Sequence, residues 1–296
     1  ELRRQLDGQL SSGSGDGVVG TISAVTTAGG IDTYTLDSDG FGARLVRAGQ
    51  TIQVFDTTKV TLRGSGVINT VDVENKQITV EPAIAGAIAT DVLVVNGITT
   101  PSVPGEAIFG VAYHDSNAST GEWLGFDRAT TPEIRSNRVD GGGSALSLPL
   151  PRLAINKIGN RVGINNNFNP TAWMHPAQKQ AYEDIGQGVI FIQKQPKVES
   201  LNMYFDGMQM AGANVRVSFN WKNSRIDFID DGVWGRAEIL PIGFYTSDGR
   251  KIFEIRGASG GIATAEIFYM VVGTQYFVNN PAATAYIDDL LVPTGY

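Results

Sequence analysis

The sequence contains no cysteine and only two histidines, His114 and His175, in 296 residues. The lack of cysteine excludes disulfides, thiolate zinc sites and cysteine nucleophiles. Stability must therefore come from packing, with contacts between subunits as a further source. With two histidines, few arrangements of a histidine-based catalytic or metal site are open to this chain.

Positive charge and long apolar runs are also scarce. The 23 lysines and arginines are outnumbered by 30 aspartates and glutamates, which gives a formal net charge of -7 and opposes nonspecific binding to a phosphate backbone. No apolar run approaches the roughly 20 residues of a membrane-spanning helix, and we expect no leader with a cleavage site. We expect a soluble protein that makes no membrane contact and contacts DNA only weakly.

Glycine and β-branched residues are abundant instead. There are 36 glycines, and 42% of the residues are hydrophobic, which is enough apolar material for one large or two modest domains. Glycine permits tight turns with positive φ, and Val, Ile and Thr suit pleated strands. We therefore expect more β structure than helix.

Two segments precede the first predicted strands. Residues 1–10, "ELRRQLDGQL", carry leucines at the spacing of one helix face, and we expect them to be the end of a helix whose beginning is missing. Residues 11–17, "SSGSGDG", are rich in turn formers and predict a linker. A domain boundary is expected there.

The segment 18–95 has the pattern of successive short strands. Val71, Val73, Ile78 and Val80 alternate about the turn "ENKQ", which predicts a hairpin. Five or six strands in about 80 residues favour a small closed barrel over residues 17–98, because closure removes exposed strand edges.

Helix signals appear after residue 143. We expect a short helix capped by Ser144 and ending before Gly159, then a strand over "TAWMHP". A second helix is expected to begin at Pro176 and to stop at Gly186 or Gly188. The C-terminal third alternates or runs apolar in short pieces, which predicts strands that form a buried sheet.

His175 raises the question of a metal site, with Glu183 and Asp184 as further ligands. On a helix beginning at Pro176 these carboxylates lie about 10 Å along the axis from the histidine, and no H-x-x-x-H or H-E-x-x-H pattern accompanies them. We expect His175 to cap or pack at a strand-to-helix corner.

His114, Asp115 and Ser116 or Ser119 could be offered as a hydrolytic triad. Adjacent residues rarely point the same way, and no G-x-S-x-G elbow presents a serine, so a polar loop is the favoured interpretation.

Glycine clusters and carboxylate pairs are the remaining candidates for a binding site. The glycines at 141–143 and 257–261 lack nucleotide-binding patterns. The pairs Asp230-Asp231 and Asp288-Asp289 lack the register of a calcium loop. We predict no catalytic, cofactor-binding or metal-binding residue.

Residues 107–143 lack regular periodicity and are crowded with Gly, Asn, Asp and Arg, which indicates an interaction loop. Arginine beside aromatic side chains is typical of contact surfaces, because the guanidinium pairs with carboxylates and stacks on rings. An ordinary salt-bridged loop is the alternative. The cluster comprises Arg128, Arg135, Arg138, Arg152, Arg161, Asp127, Glu133, Asp140, Trp123 and Phe126. The predicted subunit interface consists of Trp123, Arg128, Glu133, Arg135 and Arg138.

Four stretches occur in a familiar order: "WLGFDRATTPEIRSNRVDGGG", "LPLPRLAINKIGNRVG", "TAWMHPAQKQAYEDIG" and "RIDFIDDGVWGRAEILPIGFY". In this series the chain resembles, from about residue 107 to 292, the major capsid proteins of tailed bacteriophages, whose fold is shared with encapsulins and herpesvirus shells. The resemblance implies an α+β capsid fold with peripheral and axial domains, plus the inserted small β-barrel.

The resemblance also implies a division of the chain. Members of that family carry an N-terminal arm and a long hairpin, the E-loop, before the spine helix, and we expect both to lie outside these 296 residues, so no cross-linking lysine is assigned. The expected segments are the end of the spine helix at 1–10, the inserted barrel at 17–98, a peripheral segment with the interaction loop at 99–145, a mostly axial domain at 146–247, and returning peripheral strands at 248–296.

By this resemblance the protein is expected to be a non-enzymatic major capsid protein. It would assemble in the host bacterial cytoplasm into the pentamers and hexamers of an icosahedral virion head around double-stranded DNA. Its partners would be itself and decoration, scaffolding and portal proteins, with no cofactor. The alternatives are an encapsulin-like nanocompartment shell, a β-rich secreted binding protein, and a hydrolase using His114 or His175.

Overall fold

The computed structural model describes residues 14–38, 40–103, 105, 107–163, 169–187, 209–230, 232–246, 252–256, 262–267 and 270–296. The predicted helix end at 1–10 lies outside these residues. The described part is mostly β, with 18 strands and three α-helices. The expected excess of β structure over helix is therefore confirmed.

Six antiparallel strands form a closed barrel in the order β1-β2-β5-β4-β3-β6. Its interior is filled by apolar side chains from all six strands, among them Tyr34, Ile52, Ile78 and Leu93. The strands are β1 (Val18–Ala28), β2 (Ile31–Leu36), β3 (Thr51–Phe55), β4 (Leu62–Asp72), β5 (Gln77–Glu81) and β6 (Val92–Val95). That the barrel is an insertion in a capsid fold stays a prediction.

The expected hairpin joins β4 to β5, with Val71 opposite Ile78 and Asp72 opposite Gln77. Its turn is "VENK" rather than "ENKQ", so Val73 lies in the turn and is exposed. Lys76 closes the turn with a positive φ of 56°, and the second strand begins at the next residue, Gln77.

A second sheet has six strands in the order β11-β12-β10-β13-β18-β9. Its strands are β9 (Asn137–Ser144), β10 (Pro170–Met174), β11 (Gln209–Met210), β12 (Ala213–Val217), β13 (Ile226–Asp230) and β18 (Ala285–Leu290). The outer pair β9 and β18 is parallel, as is the pair β10 and β12. The sheet draws on the segments 99–145, 146–247 and 248–296, which therefore share one core. The names peripheral and axial stay predictions for them.

The helices α2 (Pro149–Val162) and α3 (Pro176–Gln187) pack on this sheet. Ala154 and Ile158 of α2 join Met174 and Phe228 in its core. The predicted cap of α2 is wrong, because Ser144 ends β9 and its hydroxyl donates to the Gly142 carbonyl at 3.3 Å.

Both helices begin at a proline and end directly before a glycine. Helix α2 begins with Pro149, whose missing N–H is harmless in a first turn, and runs past Gly159 to Gly163, where φ is +78°. Glycine tolerates this left-handed termination. Helix α3 begins at Pro176 as expected and ends at Gln187, directly before Gly188.

The remaining elements are short or two-stranded. They are α1 (Val111–His114), the hairpin of β7 (Glu122–Trp123) and β8 (Phe126–Asp127), β14 (Trp234–Phe244) paired with β17 (Met270–Val278), β15 (Phe253–Arg256) paired with β16 (Ile262–Ile267), and 3-10 turns at Pro132–Ile134 and Pro281–Ala283. The expectation of a buried C-terminal sheet therefore holds for β13 and β18 but is wrong for β14, whose apolar side chains Leu240 and Phe244 are exposed.

Hydrogen bonds join the barrel loop between β2 and β3 to the segment that connects β12 and β13 of the second sheet. Arg44 Nη2 donates to the Trp221 carbonyl at 3.1 Å, and Asn223 Nδ2 donates to the Ser38 carbonyl at 3.1 Å. At the hairpin turn, Lys76 Nζ donates to the Tyr296 carbonyl at 2.7 Å. These contacts bring Arg44 to the start of α3.

Candidate functional site

His175 lies at the corner between β10 and α3, as the sequence predicts. The Ala177 amide donates to His175 Nδ1 at 3.2 Å, which caps the helix. Arg44 Nη1 of the barrel contacts Nε2, and the rings of Phe219 and Tyr296 meet the imidazole edge-on. The histidine therefore links the helix start to the barrel.

Protonation of His175 is unfavourable at this corner. Burial, reinforced by the charge of Arg44, lowers the pKa of His175 to about 3. Nδ1 accepts the Ala177 amide, so a proton on Nδ1 would break the helix cap. Glu183 forms an ion pair with Lys179 at 3.4 Å along α3, so the neighbouring carboxylate has its own partner.

His114 is fully buried among aromatic rings rather than placed in a polar loop, which corrects the expectation for this segment. Trp123 Nε1 donates to its Nδ1 at 3.1 Å. The rings of Tyr113 and Trp234 lie edge-on at 5.2 and 5.6 Å between centroids. Ser116, offered above as a nucleophile, accepts the Ala118 amide in a turn.

Asp115, next to His114, belongs to a buried ionic cluster with Arg225 and Asp227. Arg225 Nη2 lies 2.6 Å from Asp227 Oδ1 and 3.7 Å from Asp115 Oδ2. Its guanidinium lies over the Tyr286 ring at 4.0 Å, and Thr284 Oγ1 donates to Asp115 Oδ1 at 2.8 Å. The cluster ties the start of the irregular loop to β13 and β18.

The electrostatics of this cluster are those of a structural site. Burial, together with the charge of Asp227, raises the pKa of Asp115. Burial alone would lower the pKa of Arg225, but the two carboxylates outweigh it and raise that pKa. This cluster is not among the sites predicted from sequence. The available signal was that Arg225 directly precedes β13 and Asp227 lies within it, because side chains two positions apart point to one face of a strand.

Asp230 and Asp288, one from each carboxylate pair, make local contacts. Both carboxylate oxygens of Asp288 accept a hydrogen bond from Arg138 Nε, each at 2.8 Å. Asp230 Oδ1 accepts the Gly232 amide at 2.9 Å. Asp231 and the glycines at 257–261 lie outside the described residues.

Two general findings apply to the described ranges. No group of three or more His, Asp or Glu side chains there is placed to hold a metal ion. No helix in those ranges has both the length and the apolar character required to cross a membrane.

Two of the predicted interface residues are buried within the chain. Trp123 binds His114, and Arg128 is 6% exposed, with its Nη2 donating to the Tyr113 carbonyl at 2.8 Å. Arg135 Nε donates to the Arg128 carbonyl at 2.8 Å, which folds the loop back on itself. These side chains shape the loop from inside.

The exposed members of the predicted interface are Glu133 and Arg138. Arg161 Nη1 and Nη2 donate to the carbonyls of Arg135 and Pro132 at 2.6 and 2.9 Å, which anchors the loop to α2. The loop therefore presents a fixed surface, and its role as a subunit interface stays a prediction.

A further surface is the two-stranded ribbon of β14 and β17. At its base, Trp234 and Val278 pack against Tyr113 and Trp123. Its far part exposes Leu240 and Phe244 at 51% and 50%, and Phe277, which lies opposite Gly235 near the base, is exposed as well. These exposed side chains are an apolar surface without cover in the described chain, and isolated two-stranded ribbons are marginally stable in water. The alternation of "WGRAEILPIGF" predicts a strand but gives no sign of what covers it.

No protein-family model and no curated protein matches the sequence. Among solved structures, the chain is similar to a chain of the cyanophage A-1(L) capsid asymmetric unit. The two are 14% identical, with a TM-score of 0.46, and the alignment covers 66% of this chain and 62% of that one. The chain thus spans less than two thirds of that neighbour's length.

Proposed function

We propose that this chain is a structural subunit that assembles with copies of itself, as the major capsid protein of a tailed bacteriophage. Pentamers and hexamers would form a closed icosahedral head around double-stranded DNA. The observation that carries the proposal is the apolar surface of the β14 and β17 ribbon, which the described residues leave uncovered. The order of the four sequence stretches that resemble capsid proteins supports it independently.

The ribbon favours contact between protein surfaces over binding of a small molecule. Leu240, Phe244 and Phe277 present apolar area on an extended element rather than in a cavity, and uncovered apolar area of this kind marks protein contacts. Pro241 removes a backbone donor from β14, and the register shifts around it. The apolar side chains, more than the strand edge, are the expected contact.

Assembly from many such contacts fits the rest of the chain. Each contact can be weak, because a closed symmetric lattice sums many of them. The net charge of -7 suits a wall that does not hold packaged DNA tightly. Decoration, scaffolding and portal proteins are the further partners of such a shell, and its location is the virion.

Sedimentation of Leu240→Asp tests the proposal. A buried charge in the ribbon contact should leave the variant as small species where the wild type sediments as large assemblies. Val60→Asp is the matched control, because Val60 is an exposed apolar residue in a barrel turn. The proposal is contradicted if Leu240→Asp assembles like the wild type.

A nanocompartment shell is the second candidate and uses the same ribbon contact. The two differ in what the particles enclose. Nuclease-protected DNA in particles isolated from infected or expressing cells supports the phage head, whereas a protein cargo without DNA supports the nanocompartment.

A further inference from the structure

A cleft of about 530 Å³ lies beside the β7–β8 hairpin. This is within the range of about 300 to 1,000 Å³ that ligand sites occupy. Apolar side chains, hydroxyl groups and one cation line it together. The lining residues include Val103, Phe109, Tyr113, Thr120, Leu124 and Arg128.

Arg128 is the unusual member of this lining. It is buried, its guanidinium lies 5.5 Å from the centre of the Tyr113 ring, and its Nε has no hydrogen-bond partner. Glu122 also lines the cleft. Among the described residues, however, no carboxylate oxygen lies within 4.0 Å of an Arg128 nitrogen, which is the limit for an ion pair.

A buried cation without a counter-ion is unfavourable. Burial accordingly lowers the pKa of Arg128. A planar guanidinium matches a carboxylate in geometry and charge. The cleft therefore favours an anion, and a carboxylate above all.

The rim of the cleft is held in a costly conformation. Leu124 and Gly125 form the two-residue turn between β7 and β8 and both have positive φ, 49° and 86°. Glycine adopts this region readily, whereas leucine does not. The Tyr113 hydroxyl accepts the Leu124 amide at 3.0 Å, and the leucine side chain is 47% exposed. Together with exposed Val103, which also lines the cleft, it forms an apolar rim around a buried cation.

We propose that this cleft binds a carboxylate side chain, with an adjoining apolar residue, from a second copy of this chain. The inference rests on the proposed self-assembly and names a site for it. A second copy offers an excess of carboxylates, 30 against 23 basic residues. The rim residues would cover the apolar neighbour and exclude water from the ion pair, which is the arrangement of an interface hot spot.

Arg128→Met tests the site, because methionine keeps much of the side-chain volume and removes the charge. Arg152→Met is the matched control, since Arg152 is exposed on α2. We expect the assembly midpoint of Arg128→Met to rise at least about tenfold in protein concentration, and that of Arg152→Met to stay within about twofold. Circular dichroism checks that both variants are folded. Equal midpoints for Arg128→Met and the wild type would overturn the site while leaving self-assembly intact.

Leu124→Asn separates contact from folding. Asparagine accepts the left-handed turn better than leucine, so the fold should not weaken, yet the apolar rim is lost. We expect weaker assembly with an unchanged or higher melting temperature. Unchanged assembly would contradict the role of the rim.

A small carboxylate tests the cleft directly, whatever the assembly state. Sodium propionate at fixed ionic strength should raise the melting temperature of the wild type, relative to chloride, by binding the folded state. Arg128→Met should lose that difference. If the wild type does not assemble, the proposed function fails, and the propionate result still decides the cleft. Equal propionate effects on both proteins would refute the carboxylate site.

Discussion

Acidification should destabilise this protein through His175. In the folded state its pKa is lowered from 6.5 to about 3, so the unfolded chain binds a proton first as the pH falls. Stability is present in full above about pH 6.5 and is lost progressively between about pH 6.5 and pH 3. Because His175 is only 3% exposed, solvent screens this penalty little.

The magnitude follows from the two pKa values. Between pH 7.5 and pH 5 the proton uptake of the unfolded state costs the folded state about 2 kcal/mol. His175→Gln cannot titrate in this way. Its loss of the helix cap costs about 1 kcal/mol at pH 7.5. The wild type should therefore be more stable than the variant at pH 7.5 and less stable at pH 5, and the two free energies of unfolding should be equal at about pH 6.

Urea unfolding of both proteins, followed by circular dichroism at pH 7.5, 6 and 5, measures this crossing. Both must be compared in the same assembly state, because association adds to stability. All other titrating groups are shared and cancel in the difference. Parallel pH profiles of the two free energies of unfolding would refute the account of the corner.

Two further predictions concern stability. Arg225→Met leaves two buried carboxylates without their cation and should lower the free energy of unfolding by about 3 to 5 kcal/mol; a urea titration showing a loss under about 1 kcal/mol would contradict this. Gly141→Ala places a Cβ 2.7 Å from the Asp288 carbonyl oxygen and should cost about 1 to 3 kcal/mol. Gly40→Ala, whose Cβ meets open space at an ordinary φ, should stay within about 0.5 kcal/mol by the same assay.

The features that could be predicted from sequence are those with local causes. Pro176 sets the first turn of α3 directly after a short strand, so the corner and the capping role of His175 follow from adjacent residues. The β4–β5 hairpin likewise follows from alternation on either side of a turn. Its turn was displaced by one residue because the positive φ of Lys76 carries no clear sequence signal.

The features that could not be predicted depend on contacts between distant residues. Arg44 meets His175 across 131 positions, and Trp123 is buried because His114 and the rings around it enclose it. Composition groups Arg128 with the other arginines of the loop and does not tell a buried arginine from an exposed one. Alternation in β14 likewise predicts a strand, whereas its exposure depends on what the rest of the fold leaves uncovered.

Self-assembly is tested most directly by negative-stain electron microscopy of the purified chain over a range of protein and salt concentrations. The account predicts closed particles of uniform diameter, built from pentamers and hexamers. Isolated single subunits under every condition would contradict it.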